Sequence, residues 1–398
     1  MRTGGTATID RHGLDLLIAA LAEAGFDTKG PVVREGAIMP GAIRTSADLP
    51  VGVRDAQGPG HYRLEHSGDD RLFDWAVGPG SWNAEFFPPS QDRWRSTSTG
   101  DITSHARPGP GSTRPLAIVG ARPCELAALA VLDRVLLDGA VTDPDYAARR
   151  ADAFVMVAEC GTPAATCFCT SMGTGPAATG GFDLALTELD GGGQRYVVRV
   201  GSDRGAAFLE GVPHAGAVPT DLTARDRRLA SAAAAIVRTV NSDRVAGLLA
   251  DSIDHPHWDE IAERCLACGN CTMVCPTCFC SDVSDTTDLT GEVRRDRTWS
   301  SCFDLDHSYL HGGSVRVSVS SRYRQWLTHK LSTWWDQFDT SGCVGCGRCV
   351  AWCPVGIDLT EEVAVISADD GRAGPASGPL PATESESVSE SGSAGGTP

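Results

Sequence analysis

The chain contains the stretch Cys265-Leu-Ala-Cys268-Gly-Asn-Cys271-Thr-Met-Val-Cys275-Pro276. The same cysteine spacing returns in Cys343-Val-Gly-Cys346-Gly-Arg-Cys349-Val-Ala-Trp-Cys353-Pro354. Both stretches follow the pattern C-x2-C-x2-C-x3-C-P, which is typical of proteins that hold two [4Fe-4S] clusters. The repeated spacing therefore predicts a two-cluster, ferredoxin-like domain in the second half of the chain.

The eight cysteines divide into two predicted ligand sets. Each iron of a [4Fe-4S] cluster takes one outer thiolate, and in two-cluster ferredoxins the fourth cysteine of each stretch binds the other cluster. The predicted sets are Cys265, Cys268, Cys271 and Cys353 for cluster 1, and Cys343, Cys346, Cys349 and Cys275 for cluster 2. The proline after each fourth cysteine predicts the first turn of a helix. Zinc is the alternative metal, but zinc sites usually take two cysteine pairs separated by a spacer.

The rest of the sequence predicts a mixed fold, α+β or α/β, in which an N-terminal mixed α/β region precedes a mainly helical cluster domain with a long insert. The predicted regions are an N-terminal α/β region at 1–115, a second α/β region at 116–220, the cluster domain at 221–366 and a tail at 367–398. The tail has almost no large apolar residue, so we expect it to be disordered. Within these regions, residues 88–114 predict a surface loop and residues 222–252 an Ala-rich helical segment.

Two predicted strands of the second region both lead to cysteines. Apolar runs at 116–119 and 153–158, with a helical pattern between them, predict a parallel βαβ unit. Open α/β sheets bind ligands at the carboxyl ends of their strands. The candidates there for a third metal centre or a redox-active thiol are Cys124, Cys160, Cys167 and Cys169. The alternative is that these thiols are buried small hydrophobic side chains.

Two further features of the cluster domain leave alternatives open. Cys278 and Cys280 follow the first stretch closely and could shield the clusters or assist their assembly, and Cys302 has no assigned role. The insert between the two stretches also contains an amphipathic segment at 322–331. That segment is either a docking helix for a partner or a helix that packs on its own domain, and amphipathicity alone favours packing.

Composition excludes several classes of function. The net charge of -17 argues against a nucleic-acid partner, because phosphate binding needs clustered Lys and Arg. No apolar run is long enough to span a bilayer, and the first ten residues lack the pattern of a secretory signal. Fifteen cysteines in tight groups in such a chain are typical of metal binding in the cytoplasm. The sequence shows no catalytic motif, so we predict no catalytic residue.

Segments outside the cluster pattern resemble a known family. They are Gly120-Ala-Arg-Pro-Cys-Glu-Leu-Ala127, Glu159-Cys-Gly-Thr162, Thr166-Cys-Phe-Cys-Thr-Ser-Met-Gly-Thr-Gly-Pro176, Cys275-Pro-Thr-Cys-Phe-Cys280 and Arg322-Tyr-Arg-Gln-Trp-Leu-Thr-His-Lys330. Together they look like the beta subunit of soluble, NAD(P)-linked nickel–iron hydrogenases, also called sulfhydrogenases. The iron–sulfur A subunit of anaerobic sulfite reductase is a close relative of that family.

The resemblance implies a role within a larger complex. It implies a non-catalytic electron-transfer subunit whose partners are the nickel–iron hydrogenase large and small subunits and a flavin/NAD(P)-binding subunit. The alternatives are an iron–sulfur subunit of an anaerobic sulfite reductase or other oxidoreductase, or a redox sensor or cluster-delivery protein. An oxidoreductase that uses a third centre for its own catalysis is a further hypothesis.

Overall fold

The computed structural model of the chain describes residues 2–97, 99–104, 114–191 and 194–369. The elements of the first half, in chain order, are β1 (Thr6–Asp10), α1 (Arg11–Glu23), β2 (Asp27–Arg34), β3 (Ala37–Ala42), β4 (Val53–Gly58), β5 (His61–His66), α2 (Asn83–Phe86), β6 (Ser90–Ser96), β7 (Ile102–Ser104), β8 (Leu116–Ala121), α3 (Pro123–Leu136), α4 (Pro144–Ala151), β9 (Phe154–Ala158), β10 (Leu184–Glu188), β11 (Arg195–Val200), α5 (Asp203–Glu210) and β12 (Ala215–Gly216).

The second half is richer in helices. Its elements are α6 (Pro219–Ala235), α7 (Val245–Asp251), α8 (His257–Arg264), α9 (Asn270–Met273), β13 (Ser281–Thr287), β14 (Val293–Trp299), β15 (Tyr309–Leu310), β16 (Gly313–Ser314), α10 (Val319–Thr328), a π-helical turn (His329–Thr333), α11 (Trp334–Phe338), α12 (Arg348–Ala351) and α13 (Leu359–Asp369). The chain leaves helical geometry between α6 and α7, so the predicted helical segment at 222–252 is two helices. The predicted tail begins inside α13, and the rest of it lies outside the described residues.

An eight-stranded sheet forms the core of the first half. Its strand order is β12-β1-β11-β10-β9-β8-β2-β3, and the four strands β10, β9, β8 and β2 are parallel to one another. The residues of β9 and β10 are buried throughout, as expected for parallel strands covered on both faces. The predicted βαβ unit is confirmed, because β8 and β9 are parallel neighbours joined through α3. Strands from both predicted regions, 1–115 and 116–220, pair within this one sheet.

A second sheet joins the two halves of the chain. Hairpin β13–β14, which lies in the insert of the cluster domain, pairs through β14 with β6. The prediction of a surface loop over 88–114 is therefore wrong for β6 and β7, and residues 105–113 lie outside the described residues. Segment Ser90–Ser96 is extended because strand β14, far away in sequence, completes its backbone hydrogen bonds, which no local pattern reveals.

The helical half packs around a separate apolar core. Tyr323, Trp326 and Leu327 of α10 are buried there with Trp258 of α8 and Phe303. The amphipathic segment at 322–331 thus packs on its own domain, which confirms that alternative over a docking helix. Among the described residues, no helix combines the length and hydropathy needed to cross a bilayer.

Candidate metal centres

Each cysteine stretch forms a loop that contains one short helical turn. Residues 265–276 are called the first loop and residues 343–354 the second loop. Gly269, with φ of 73°, precedes α9 and its Cys271. Gly347, with φ of 74°, precedes α12 and its Cys349 in the same way. The helical turn therefore lies before the fourth cysteine of each loop, and the prediction of a helix starting at the following proline is wrong. The left-handed glycine, which has no Cβ to clash, sets where the turn begins.

The first cavity has a volume of about 450 Å³ and lies between the first loop and the end of the second loop. Its walls include Cys265, Cys268, Cys271 and Cys353, and Cys349 lines it as well. Aromatic rings of Phe303, Tyr323 and Trp326 form the opposite wall. All four cysteines predicted for cluster 1 thus surround one space, with three contributed by one loop and the fourth by the other.

The second cavity, of about 420 Å³, lies beside the first. Its cysteines include Cys275, Cys343, Cys346 and Cys349, which are the four predicted for cluster 2. Cys349 and Trp326 line both cavities, so the two spaces share a wall. The fourth cysteine of each loop lies at the cavity of the other loop: Cys353 lines the first cavity and Cys275 the second. This is the exchange inferred from the spacing.

The donor sets fit clusters. Among the described residues, no group of three or more Cys, His, Asp or Glu side chains converges to hold a metal ion. The cysteines instead surround cavities, and a [4Fe-4S] cluster requires four thiolates around it, each bound to a different iron. Backbone N–H groups also point at sulfur: Ala267 N lies 3.4 Å from Cys265 Sγ, and Gly345 N lies 3.4 Å from Cys343 Sγ. Such donors stabilise thiolate and cluster charge.

Buried cations accompany the second cavity. Lys330 lines it, donates to Thr277 Oγ1 at 2.7 Å and lies 4.5 Å from the Trp334 ring centroid. Burial alone would lower the pKa of Lys330, but the neighbouring sulfurs, Cys275 foremost, raise it, so the ammonium stays protonated. Arg348 also lines this cavity, and its guanidinium is buried in an ion pair with Glu125.

The four candidates for a third centre also lie together. A third cavity, of about 320 Å³, is lined by Cys124, Cys160, Cys167 and Cys169. It lies at the carboxyl ends of β8 and β9, since Cys124 follows the first strand and Cys160 the second. Cys346 of the second loop lines this cavity as well. Burial raises the pKa of Cys167 well above its usual value.

The last three cysteines lie outside the walls of these cavities. Cys278 is hydrogen-bonded to Cys275, an interaction that together with nearby Lys330 holds the pKa of the Cys275 thiol well below its usual value. Cys280 and Cys302 are electrostatic neighbours of each other and of Lys330. No cavity described in the structure is lined by these three cysteines, so none of them is assigned to a metal centre.

Sequence reasoning missed the two buried cations. Lys330 is one of two lysines in a chain whose other basic residues are all Arg, and that rarity was a usable signal. Arg348 lies inside the second cysteine stretch at the position that Asn270 occupies in the first. A buried charge between cysteines distinguishes the two otherwise similar stretches.

Two cysteine-rich loops that line adjacent cavities define an iron–sulfur electron-transfer protein. A family model described as a 4Fe-4S dicluster domain matches residues 264–357, which span both loops. Sulfhydrogenase 2 subunit beta of Pyrococcus furiosus is 36% identical over 247 residues, which cover 61% of this chain and 71% of that protein. No solved structure matches. The chain belongs to the family of sulfhydrogenase beta subunits, the iron–sulfur subunits of hydrogenases, as its segments outside the cysteine stretches predicted.

Proposed function

We propose that this chain relays single electrons between a nickel–iron hydrogenase core and a flavin/NAD(P)-binding subunit through two [4Fe-4S] clusters. The observation that carries the proposal is the pair of cysteine-lined cavities that share Cys349 in their common wall. A bound [4Fe-4S] cluster supplies a centre that gains and loses one electron at a time. Adjacent cavities bring two such centres together, as stepwise electron transfer needs.

The proposed ligands follow the cavity walls. Cluster 1 is assigned to Cys265, Cys268, Cys271 and Cys353, and cluster 2 to Cys343, Cys346, Cys349 and Cys275. Trp326 and Leu359 of the helical core are buried and line both cavities. An apolar wall lowers the local dielectric constant, which strengthens the effect of every nearby charge and N–H donor on the cluster potential.

The rim of the first cavity is the proposed place of exchange with a partner. Cys268 is exposed, and the apolar side chains of Leu266 and Val355, which line the same cavity, are exposed as well. An exposed apolar group beside a redox centre is typical of a protein-binding surface. The opposite end of the relay lies in the interior, where Cys346 faces the eight-stranded sheet domain.

We place the complex in a reducing compartment, the cytoplasm. All fifteen cysteines lie within the described residues and none of them forms a disulfide. Disulfides persist in oxidising compartments, whereas cytosolic thiols stay reduced and available as metal ligands.

Replacing Cys268 tests the relay. The Cys268→Ser variant, assembled with its partner subunits, should lose about four iron atoms per chain and hydrogen-dependent reduction of NAD(P). Because Cys268 is exposed, the fold and the assembly should survive. Cys302→Ser is the matched control, since Cys302 lies outside the cavity walls, and it should keep both iron and activity. Full activity in an iron-depleted Cys268→Ser complex would refute the relay, and reduction of sulfite instead of hydrogen turnover would place the chain in a sulfite reductase.

A further inference from the structure

The third cavity has the composition of a cluster site. Of the four cysteines that the sheet edge and its loop contribute, Cys124, Cys167 and Cys169 are buried and Cys160 is half-buried, while the fifth cysteine of the wall, Cys346, belongs to the second loop. Among the described residues, no acidic side chain lines the cavity, and apart from Cys346 and Arg122 the rest of its wall is proline, glycine and small apolar residues. Four thiols around an apolar space match the donor set of an iron–sulfur cluster.

Three separate segments bring these thiols together. Cys124 is the second residue of α3, a helix of 14 residues that begins directly after the turn that follows β8. Cys160 follows β9, and Cys167 and Cys169 belong to the loop after it. Two successive connections of a parallel sheet therefore begin with a cysteine at the same edge, where such sheets bind ligands.

Positive charge faces this cavity. The Arg122 guanidinium is buried, lies 3.9 Å from the Trp75 ring centroid and donates to the carbonyl oxygen of Phe73 at 3.0 Å. Its hydrogen bonds go to backbone carbonyls, and its charge acts on Cys160. The N-terminus of α3 adds a partial positive charge beside Cys124. Neutral thiols packed as small hydrophobic groups need no such compensation, whereas four thiolates on a cluster do.

The third cavity is also attached to the second. Phe168 N donates to Gly345 O at 2.9 Å, and Thr174 Oγ1 donates to Val344 O at 2.6 Å. These bonds hold the loop that carries Cys167 and Cys169 directly against the second loop. Cys346 consequently lines both cavities.

We propose that Cys124, Cys160, Cys167 and Cys169 bind a third [4Fe-4S] cluster. The three cavities then form a continuous series, in which the first shares Cys349 with the second and the second shares Cys346 with the third. The relay extends from the exposed rim of the first loop to the edge of the eight-stranded sheet. The edge of the eight-stranded sheet thereby gains a redox centre of its own.

Metal analysis of the full chain, purified anaerobically, tests this site. Three clusters predict about twelve iron and about twelve sulfide per chain, whereas two predict about eight of each. The Cys169→Ser and Cys124→Ser variants should each lose about four iron atoms and about one third of the reduced-state spin signal. Cys302→Ser is the control and should keep the wild-type content.

Wild-type stoichiometry decides the proposal even where a variant does not fold. About eight iron atoms without another metal would overturn the third site, and so would about eight iron atoms with one zinc. The result is also separable from that for the relay, because Cys268→Ser should still hold the clusters of the second and third cavities. A loss of iron in Cys268→Ser but not in Cys169→Ser would refute the third cluster alone.

Discussion

The two cysteine loops share one spacing but lie in different surroundings. In the first loop Leu266 and Cys268 are exposed, whereas the equivalent residues of the second loop, Val344 and Cys346, are buried. The difference arises because the second loop is covered by the sheet domain and the first faces solvent. Spacing therefore fixes which cysteines surround a cavity, and position in the fold fixes how exposed and how charged that cavity is.

Charge separates the loops as clearly as exposure does. The second cavity has buried Lys330 and Arg348 in its wall, whereas in the part of the chain that the structure describes no cationic side chain lines the first. Nearby positive charge stabilises the more negative, reduced form of a cluster and raises its potential. Burial of a cluster lowers its potential and so opposes the effect of positive charge. Substitutions that remove one charge and leave burial unchanged therefore isolate the effect of charge. The following predictions test the comparison, beginning with the largest effect.

Alanine in place of the left-handed glycine should damage the second loop far more than the first. A Cβ on Gly347 would lie 2.3 Å from the backbone oxygen of Thr166, while on Gly269 the nearest atom is Ser301 Oγ at 3.1 Å. Both residues have nearly the same φ, so backbone strain of about 1 to 2 kcal/mol is common to both variants. Overpacking against rigid backbone adds about 1 to 3 kcal/mol to Gly347→Ala alone.

Anaerobic denaturant unfolding measures this difference. The free energy of unfolding should fall by about 3 kcal/mol or more in Gly347→Ala and by about half of that in Gly269→Ala. Equal losses in the two variants would contradict the proposed contact between the second loop and the segment that contains Thr166.

Removal of the Lys330 charge should lower the potential of cluster 2. In Lys330→Met the side chain keeps about the same volume but loses a buried unit charge. Through an effective dielectric constant of about 20, that charge contributes about 1 to 3 kcal/mol to reduction of the cluster, or roughly 50 to 130 mV for one electron. Redox titration followed by electron paramagnetic resonance measures the shift.

Two controls accompany Lys330→Met. Lys330→Arg keeps the charge and should stay near the wild-type potential. Arg264→Met removes a half-exposed cation that is paired with Glu362 near the first loop, and solvent screening should keep its effect small. A larger shift of cluster 1 in Arg264→Met than of cluster 2 in Lys330→Met would reverse the proposed charge difference.

Exposure predicts that cluster 1 is the more labile cluster. Small local openings near the exposed Cys268 should suffice to give solvent access to cluster 1. Access to cluster 2 at Cys346 requires the second loop to separate from the eight-stranded sheet. Under air with a chelator, we expect the cluster 1 signal to decay about tenfold faster than the cluster 2 signal. Spectra recorded with residual iron at successive times measure both rates, and simultaneous loss would show that the loops open together.

The sequence determined the candidate sites better than their surroundings. The cysteine spacing led to two sets of four that each surround one cavity, because local geometry decides which thiolates can share a cluster. The same reasoning could not explain why the first loop has Ala267 where the second has Gly345. A Cβ on Gly345 would lie 2.7 Å from the backbone of Cys169, so only glycine fits there. That contact joins residues far apart in sequence.

The fold shows the same division between local and distant information. Helix α3 and the parallel pairing of β8 with β9 followed from apolar periodicity and the length of the crossover. The pairing of β6 with β14 did not, since segment Ser90–Ser96 has the composition of a loop and becomes a strand through a partner near residue 295. The charge at Lys330 was missed for a similar reason, because only the tertiary structure places it beside Cys275.

The smallest predicted effect concerns the exposed rim of the first loop. If electrons pass to a partner there, Leu266→Gln should weaken docking without changing either cluster, because it removes an apolar side chain that a partner would cover. Partial burial of one leucine is worth about 1 kcal/mol, so the chain concentration for half-maximal hydrogen-dependent NAD(P) reduction should rise about fivefold on titration into its partner subunits. Leu289→Gln is the control, since Leu289 is even more exposed than Leu266 but lies in the turn of hairpin β13–β14. An equal change in both variants would mean that the rim of the first cavity does not bind the partner. The greater exposure of the first loop would then have no role in docking.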